Sequence, residues 1–437
     1  METSVAPRVA GIKSKTGWSI LLRRQAWLGL WLIITILLIP SDSYVGEDAL
    51  DWAILSAVSG ERFDLVAWEM QAIGQKVHDQ VRPPGASLSP LEEHDLVLEY
   101  LKDVRRVSEL SRAIEDAAAG MGEGDLAEQQ VELQRELDQL RAVQEERRPT
   151  VERILERQVA DILRKLGFTT AGAVFPPVRF QFTESPNLMI VSPRDAIRME
   201  RSVHLDPTTP LIEIEKIEEE VAARMDRSTL IEGTGGFSSY PTMVLQSSSL
   251  RWVIETVAHE WAHTYLALRP LGWNYSSSGG MRTINETVAS IFGDEVSRMV
   301  MDEYYGDLSG PAPWPRPLSM DPNWLSPVPM APDFEFGAFM RETRLRTDEL
   351  LAQGAVPEAE QFMEMRRLEL LEQGYGIRKL NQAYFAFHGS YAVGTSATDP
   401  IGGKLRALRL RAGSLPEFIR IVATFNDVAD LDAALSS

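Results

Sequence analysis

The chain contains no cysteine. That removes three kinds of chemistry at once: a disulfide framework, a thiolate metal site and a cysteine nucleophile. Any metal must then be held by histidine and carboxylate. Histidine is scarce as well, with six in 437 residues. Basic residues are outnumbered, 44 Lys and Arg against 63 Asp and Glu, giving a formal net charge of -19. Such a chain is not a globally basic nucleic-acid binder. Its acidity favours solubility of the part that meets water and names no substrate. A hydrophobic content of 44% can supply a core, and the length suits about two to four domains. Lack of cysteine fits either side of a bacterial membrane.

The N-terminus is the exception to the acidic balance. Arg8, Lys13, Lys15, Arg23 and Arg24 precede the apolar run "AWLGLWLIITILLIP", Ala26 to Pro40. The run is short against the roughly 20 apolar residues of a spanning helix. The preceding "WSILL" lengthens it, since arginine side chains snorkel to the interface. Basic residues before it and "SDSYVGED" after it obey the positive-inside rule. A cleaved signal peptide shares these parts, but no A-x-A site follows. Residues 1–45 therefore read as a cytoplasmic basic tail and an uncleaved single-pass anchor, with the rest of the chain outside the cytoplasm.

Residues 46–168 read as helical. "FDLVAWEMQAIGQKV" spaces Phe63, Val66, Trp68, Met70 and Ile73 by mixed three- and four-residue steps. "RPPG" then breaks the chain. Ser89, Pro90, Glu92 and Glu93 form a helix start. After "AAAGMGEGD" a second long helix runs from about Leu126 to Leu166, with Leu133, Leu137 and Leu140 as its apolar stripe. The pair reads as an antiparallel hairpin, either a solvated spacer or a surface for a protein partner. From residue 169 to 305 the texture changes. "VRFQFTESPNLMIVSP" reads as strands, "TPLIEIEKIEEEVAARMD" as partly strand and then helix, and "GTGGFSSYPTMVLQ" as a glycine-rich turn and a strand. Residues 306–335 are proline-rich, a linker or a segment lying across the surface. Residues 336–437 are helical again. The expected class is α+β and mostly helical.

"HEWAH" carries the chemistry. Residues four apart share a helix face, so His259 and His263 can address one metal ion. Glu260 lies about 100° round the helix, within reach of a water at that ion. H-E-x-x-H takes zinc, which lowers the pKa of a bound water towards ~7 while the glutamate acts as general base. The plain alternative is a buried helix with two satisfied core histidines. Catalytic zinc needs a third protein ligand and an open position. "INETVASIFGDEV" offers Glu286, with Asp294 and Glu295 as rivals on the same stretch. His78, His94 and His204 sit in ordinary polar contexts and read as surface residues.

HExxH followed by NExxA resembles the gluzincins, the zinc peptidases with a glutamate as third ligand. The resemblance implies a zincin-like domain, peptide hydrolysis, His259, His263 and Glu286 as ligands of Zn2+, and Glu260 as base. Some gluzincins carry an aspartate four residues after the ligand glutamate, supporting a histidine. Here that position is Ser290, which leaves Asp294 or Glu255 to orient a ligand. An oxyanion also needs an electrophile. "LNQAYFAFHGSYA" resembles a bacterial family of predicted aminopeptidases over roughly residues 233–437. By that pattern Tyr391 matches the family's tyrosine, and His388 is the other candidate. Gluzincins add an extended peptide to an edge strand beside the active helix, and Gly235 to Tyr240 stands at that place in the order.

The expected function is a membrane-anchored zinc metallopeptidase acting on a peptide or protein substrate. The other readings are an anchored, catalytically inactive scaffold for protein partners, and a zinc hydrolase acting on a non-peptide bond. An aminopeptidase further needs an acid to hold the free amine, for which Glu232 is the weak candidate.

Overall fold

The computed structural model describes residues 49–81, 83–85, 87–118, 126–234, 236–237, 239–306, 334–389 and 400–436. The apolar run, most of the proline-rich segment and Tyr391 lie outside them. The described chain is α+β and mostly helical. In chain order it runs α1 (Ala49–Ala57), α2 (Leu65–Val81), α3 (Pro90–Ala118), α4 (Leu126–Lys165), β1 (Thr169–Thr170), β2 (Ala173–Val174), β3 (Phe180–Phe182), β4 (Asn187–Pro193) and β5 (Arg201–Leu205). It continues with α5 (Leu211–Met225), β6 (Arg227–Gly233), β7 (Gly236–Phe237), β8 (Thr242–Val244), α6 (Leu250–Leu266), α7 (Pro270–Trp273) and α8 (Gly279–Tyr304). The C-terminal part holds α9 (Phe336–Ala352), α10 (Val356–Glu372), α11 (Gln382–His388), α12 (Ile401–Arg411), α13 (Leu415–Val422) and α14 (Ala429–Ser436). Among the described residues no helix is long and apolar enough to cross a membrane.

Several starts follow from the sequence. Ser89 and Glu92 exchange hydrogen bonds, Ser89 N donating to Glu92 Oε2 at 2.7 Å and Glu92 N to Ser89 Oγ at 3.4 Å. This capping box satisfies two donors that the first turn of α3 would leave open. The hairpin is antiparallel: Arg106 meets Glu136, Arg147 meets Asp103 and Arg153 meets Glu93. It is no spacer at its base. Val151, Ile154, Leu155, Val159, Ile162 and Leu163 of α4 are buried in the main core.

The strands form two three-stranded sheets and a β1–β2 ribbon. The first sheet is antiparallel, in the order β5-β4-β6. The second runs β3-β8-β7, with β3 parallel and β7 antiparallel to β8. The outer edge of β3 is closed by side chains from α4. Phe180 N donates to Glu156 Oε1 at 3.1 Å and Phe182 N to Glu152 Oε1 at 2.8 Å. At the opposite edge stands β7. One expectation needs correction. "TPLIEIEKIEEE" has no strand: from Leu211 it is helix, with Ile217, Glu218 and Val221 as its buried side. The strands β5 and β6 carry no clear signal in the sequence because their apolar stretches are only a few residues long and polar residues flank them.

The main core joins α3, α4, β3, β8, α6, α8 and the helices α12 to α14. A second core puts Met340, Met363, Leu370, Tyr375 and Phe385 against Ile190 and Leu230 of the first sheet. The C-terminal helices therefore divide between two cores. Glu218 clasps the second one. Its carboxylate is fully buried, pairs with Arg378 at 2.6 Å and Lys379 at 2.6 Å, and accepts Ile231 N.

Candidate metal centre

Two helices from the main core build the site. Ser249 caps α6, its Oγ accepting Trp252 N, and Ser278 caps α8, its Oγ accepting Met281 N. The helices pass closely at Gly293. A Cβ there would lie 2.8 Å from the Glu255 carbonyl oxygen and 3.2 Å from His259 Cβ. Only hydrogen fits, and the close approach brings Glu286 of α8 to the histidines of α6.

His259 Nε2 and His263 Nε2 are 3.0 Å apart, and Glu286 Oε2 lies 3.5 Å from the first and 3.3 Å from the second. Among the described residues these three form the group of His and acidic side chains whose ligand atoms lie close enough to share an ion, within 4.8 Å of one another. Two residues missed at the sequence level hold them. Asn285 Oδ1 lies 2.8 Å from His263 Nδ1, and its Nδ2 donates to the Leu271 carbonyl. That fixes the amide, so His263 keeps a proton on Nδ1, and the nitrogen it would free for an ion is Nε2, which faces the group. Tyr275 OH donates to Glu286 Oε1 at 2.6 Å, leaving Oε2 to the histidines. A tyrosine and an asparagine between HExxH and the third acid were the available signals; neither states which atom it will meet.

Ser290 Oγ lies 3.5 Å from His259 Nδ1, a long contact from the position of the family's aspartate. Asp294 is held by Arg251 at 2.8 Å and Arg298 at 2.5 Å, and Glu295 by Arg409 at 2.7 Å. Both rivals of Glu286 are thus engaged elsewhere. Burial drives Glu255 up to about 7, with the Asp294 charge adding to it. His388 is not bonded to this group. Its Nε2 meets Glu232 Oε2 at 2.9 Å and its ring lies against Tyr384. Glu232 is accordingly engaged by a histidine. His94 stacks on Tyr305 and His204 packs edge-on to Phe237, so both are half-buried rather than free at the surface, while His78 is exposed.

The electrostatics of the three residues are coupled. Burial alone would raise Glu286, but the two histidines hold it well below the usual carboxylate range. Burial would lower His263, yet the Glu286 charge and hydrogen bond, with Glu260 and Asn285, bring it up to about 9. Glu260 is buried one residue beyond His259. Desolvation raises its pKa, against the lowering by His259 and His263. Gly236 of β7 covers it: a Cβ there would sit 2.9 Å from Glu260 Oε1 and 2.9 Å from Thr256 Cγ2. The edge strand of the second sheet therefore touches the glutamate of the motif.

The donor set suits a borderline cation. Two imidazole Nε2 atoms and one carboxylate oxygen are a donor set that catalytic zinc takes, and here Asn285 and Tyr275 hold two of the three residues from behind. No family model, curated protein or solved structure matches the chain.

Proposed function

We propose that the chain is a membrane-anchored zinc metallopeptidase of gluzincin type. The observation that carries this is the meeting of His259, His263 and Glu286 with Glu260 on the same helical turn. His259 and His263 would hold the ion through Nε2 and Glu286 through Oε2. Bound there, zinc supplies a Lewis acid for a scissile carbonyl and for the attacking water.

The remaining steps belong to the chain. Glu260 takes a proton from the water and returns one to the leaving amine. Burial raises its pKa from the ordinary carboxylate value, the direction that strengthens it as a base. An extended substrate adds its backbone to β7, the edge strand in contact with Glu260. Tyr391 or His388 steadies the oxyanion. His388 serves only if substrate draws it from Glu232.

The test is zinc content of the purified full chain in detergent, with turnover of a mixed peptide pool. The parent should hold one zinc per chain and cleave. His263→Ala should lose the metal, and Glu260→Gln should keep it while losing about 10²–10⁴-fold in rate. A metal-free, folded parent in ample zinc refutes the peptidase. Full activity in Glu260→Gln refutes the base.

A further inference from the structure

Helix α2 is built inside out. Its charged residues face the protein. Glu69 Oε1 accepts Tyr240 N at 3.1 Å, and Lys76 Nζ pairs with Glu152 at 2.7 Å and Glu156 at 2.9 Å. Between them Ala72 is buried. Four apolar residues nevertheless face outward: Val66 is 48% exposed, Met70 70%, Val77 37% and Val81 76%. At 100° per residue these four fall within an arc of about 60°, and they run for about 22 Å along the helix. No charged residue interrupts the arc. Single exposed apolar side chains are ordinary, but a continuous stripe on a helix whose charges are turned inward marks a contact.

We infer that the outer face of α2 lies on the lipid bilayer, in the plane of the interface, a placement that rests on reading Ala26 to Pro40 as membrane-inserted. Three observations favour lipid as the occupant. Chain length is the first. From Pro40 to Ala49 is nine residues, a tether that can reach at most about 30 Å between the end of the run and the start of α1. Charge is the second. With a formal net charge of -19 most of the protein is repelled by anionic headgroups, whereas this arc carries no acid. The third is Trp52 on α1, 64% exposed on the segment between the run and α2, a residue type that settles at the membrane interface. Interfacial helices usually supply their own basic face. Here Lys76 and Glu69 instead fasten the helix to the protein, and tethering by the run makes a modest apolar stripe sufficient. The face then fixes how the molecule sits on the membrane.

The absence of cysteine makes the test direct. Met70→Cys and, as control, Glu132→Cys on the hairpin, where the native side chain is 71% exposed, each give one thiol for an environment-sensitive fluorophore. The labelled full chain is reconstituted into vesicles of equal parts phosphatidylcholine and phosphatidylglycerol, with and without nitroxide-labelled lipid. Both proteins should float with the vesicles. The label at 70 should shift to the blue and lose most of its emission to the nitroxide, and the label at 132 should do neither. Flotation with no quenching at 70 overturns the placement of α2 while leaving the anchor standing. Failure to float overturns the anchor and the placement with it. A blue shift without lipid, in a protein that sediments as a dimer, assigns the stripe to a second copy of the chain and also overturns it.

Discussion

Asn285 is the residue on which the donor character of His263 depends. Its Oδ1 takes the Nδ1 proton, and its own amide is fixed by the Leu271 carbonyl. Asn285→Ala should leave the ligands in place and weaken zinc binding about 10–100-fold, as losses behind a metal ligand do. Competition with a chelator of known affinity measures it; unchanged affinity would show that the hydrogen bond does not orient the ring. Tyr275 stands in the same relation to Glu286. The ligand candidates themselves were legible because the chemistry demands their types at fixed spacing. Asn285 and Tyr275 were not, because an amide or a phenol acquires such a role only when tertiary approach brings it to a particular atom. His94 and His204 were misread for the same reason, since an aromatic partner distant in sequence covers each.

At the scale of elements, two glycines govern how closely things pass. Gly293 lets α8 lie on α6 behind His259, and Gly236 lets β7 lie on Glu260. Gly293→Ala should destabilise the fold by about 1–3 kcal/mol, because backbone on the opposite helix cannot yield as a side-chain tip can. Urea unfolding measures that loss, and an unchanged midpoint would mean the helices part freely. Gly236→Ala acts differently. It displaces a carboxylate tip and should cost up to about a hundredfold in turnover with zinc content unchanged, since a shift near 1 Å is enough. Loss of zinc in that variant would place the strand's role in metal binding. Element starts were the most legible features, as at Ser89, where a capping box needs only local residues. The first turns of α5 misled because "LIEIE" alternates like a strand, and the buried side of the helix appears only further on at Ile217 and Val221.

For the whole molecule, assembly turns on buried charge. Burial by itself would raise Glu218, but hydrogen bonds and charges from Arg378 and Lys379 bring it below its ordinary value. A carboxylate depressed in the fold stabilises above its unfolded pKa, and that contribution is lost as pH falls through the folded one. Glu218→Gln should therefore cost about 3 kcal/mol at pH 7, the low end for a broken buried pair because Arg378 and Lys379 keep some water. The difference from the parent should shrink as pH drops below about 4.5. Denaturant titrations at both pH values test it, and a gap that does not change with pH would remove charge as the cause. Which face of each helix turns inward was the least legible property. In α2 the apolar spacing predicts a helix correctly, yet two of the residues that signal it, Val66 and Met70, point outward.

The carboxylates of Glu152 and Glu156 have one further consequence. By receiving Phe180 N and Phe182 N they leave β3 neither of those amides to offer a passing strand. A sheet with two open edges invites stacking of one molecule on another. Here growth is stopped on one side because α4 lies along β3 and its buried acids take the strand's amides, so two copies cannot zip together through β3. The edge left to β7 is only Gly236 and Phe237 long, too short to propagate a fibre.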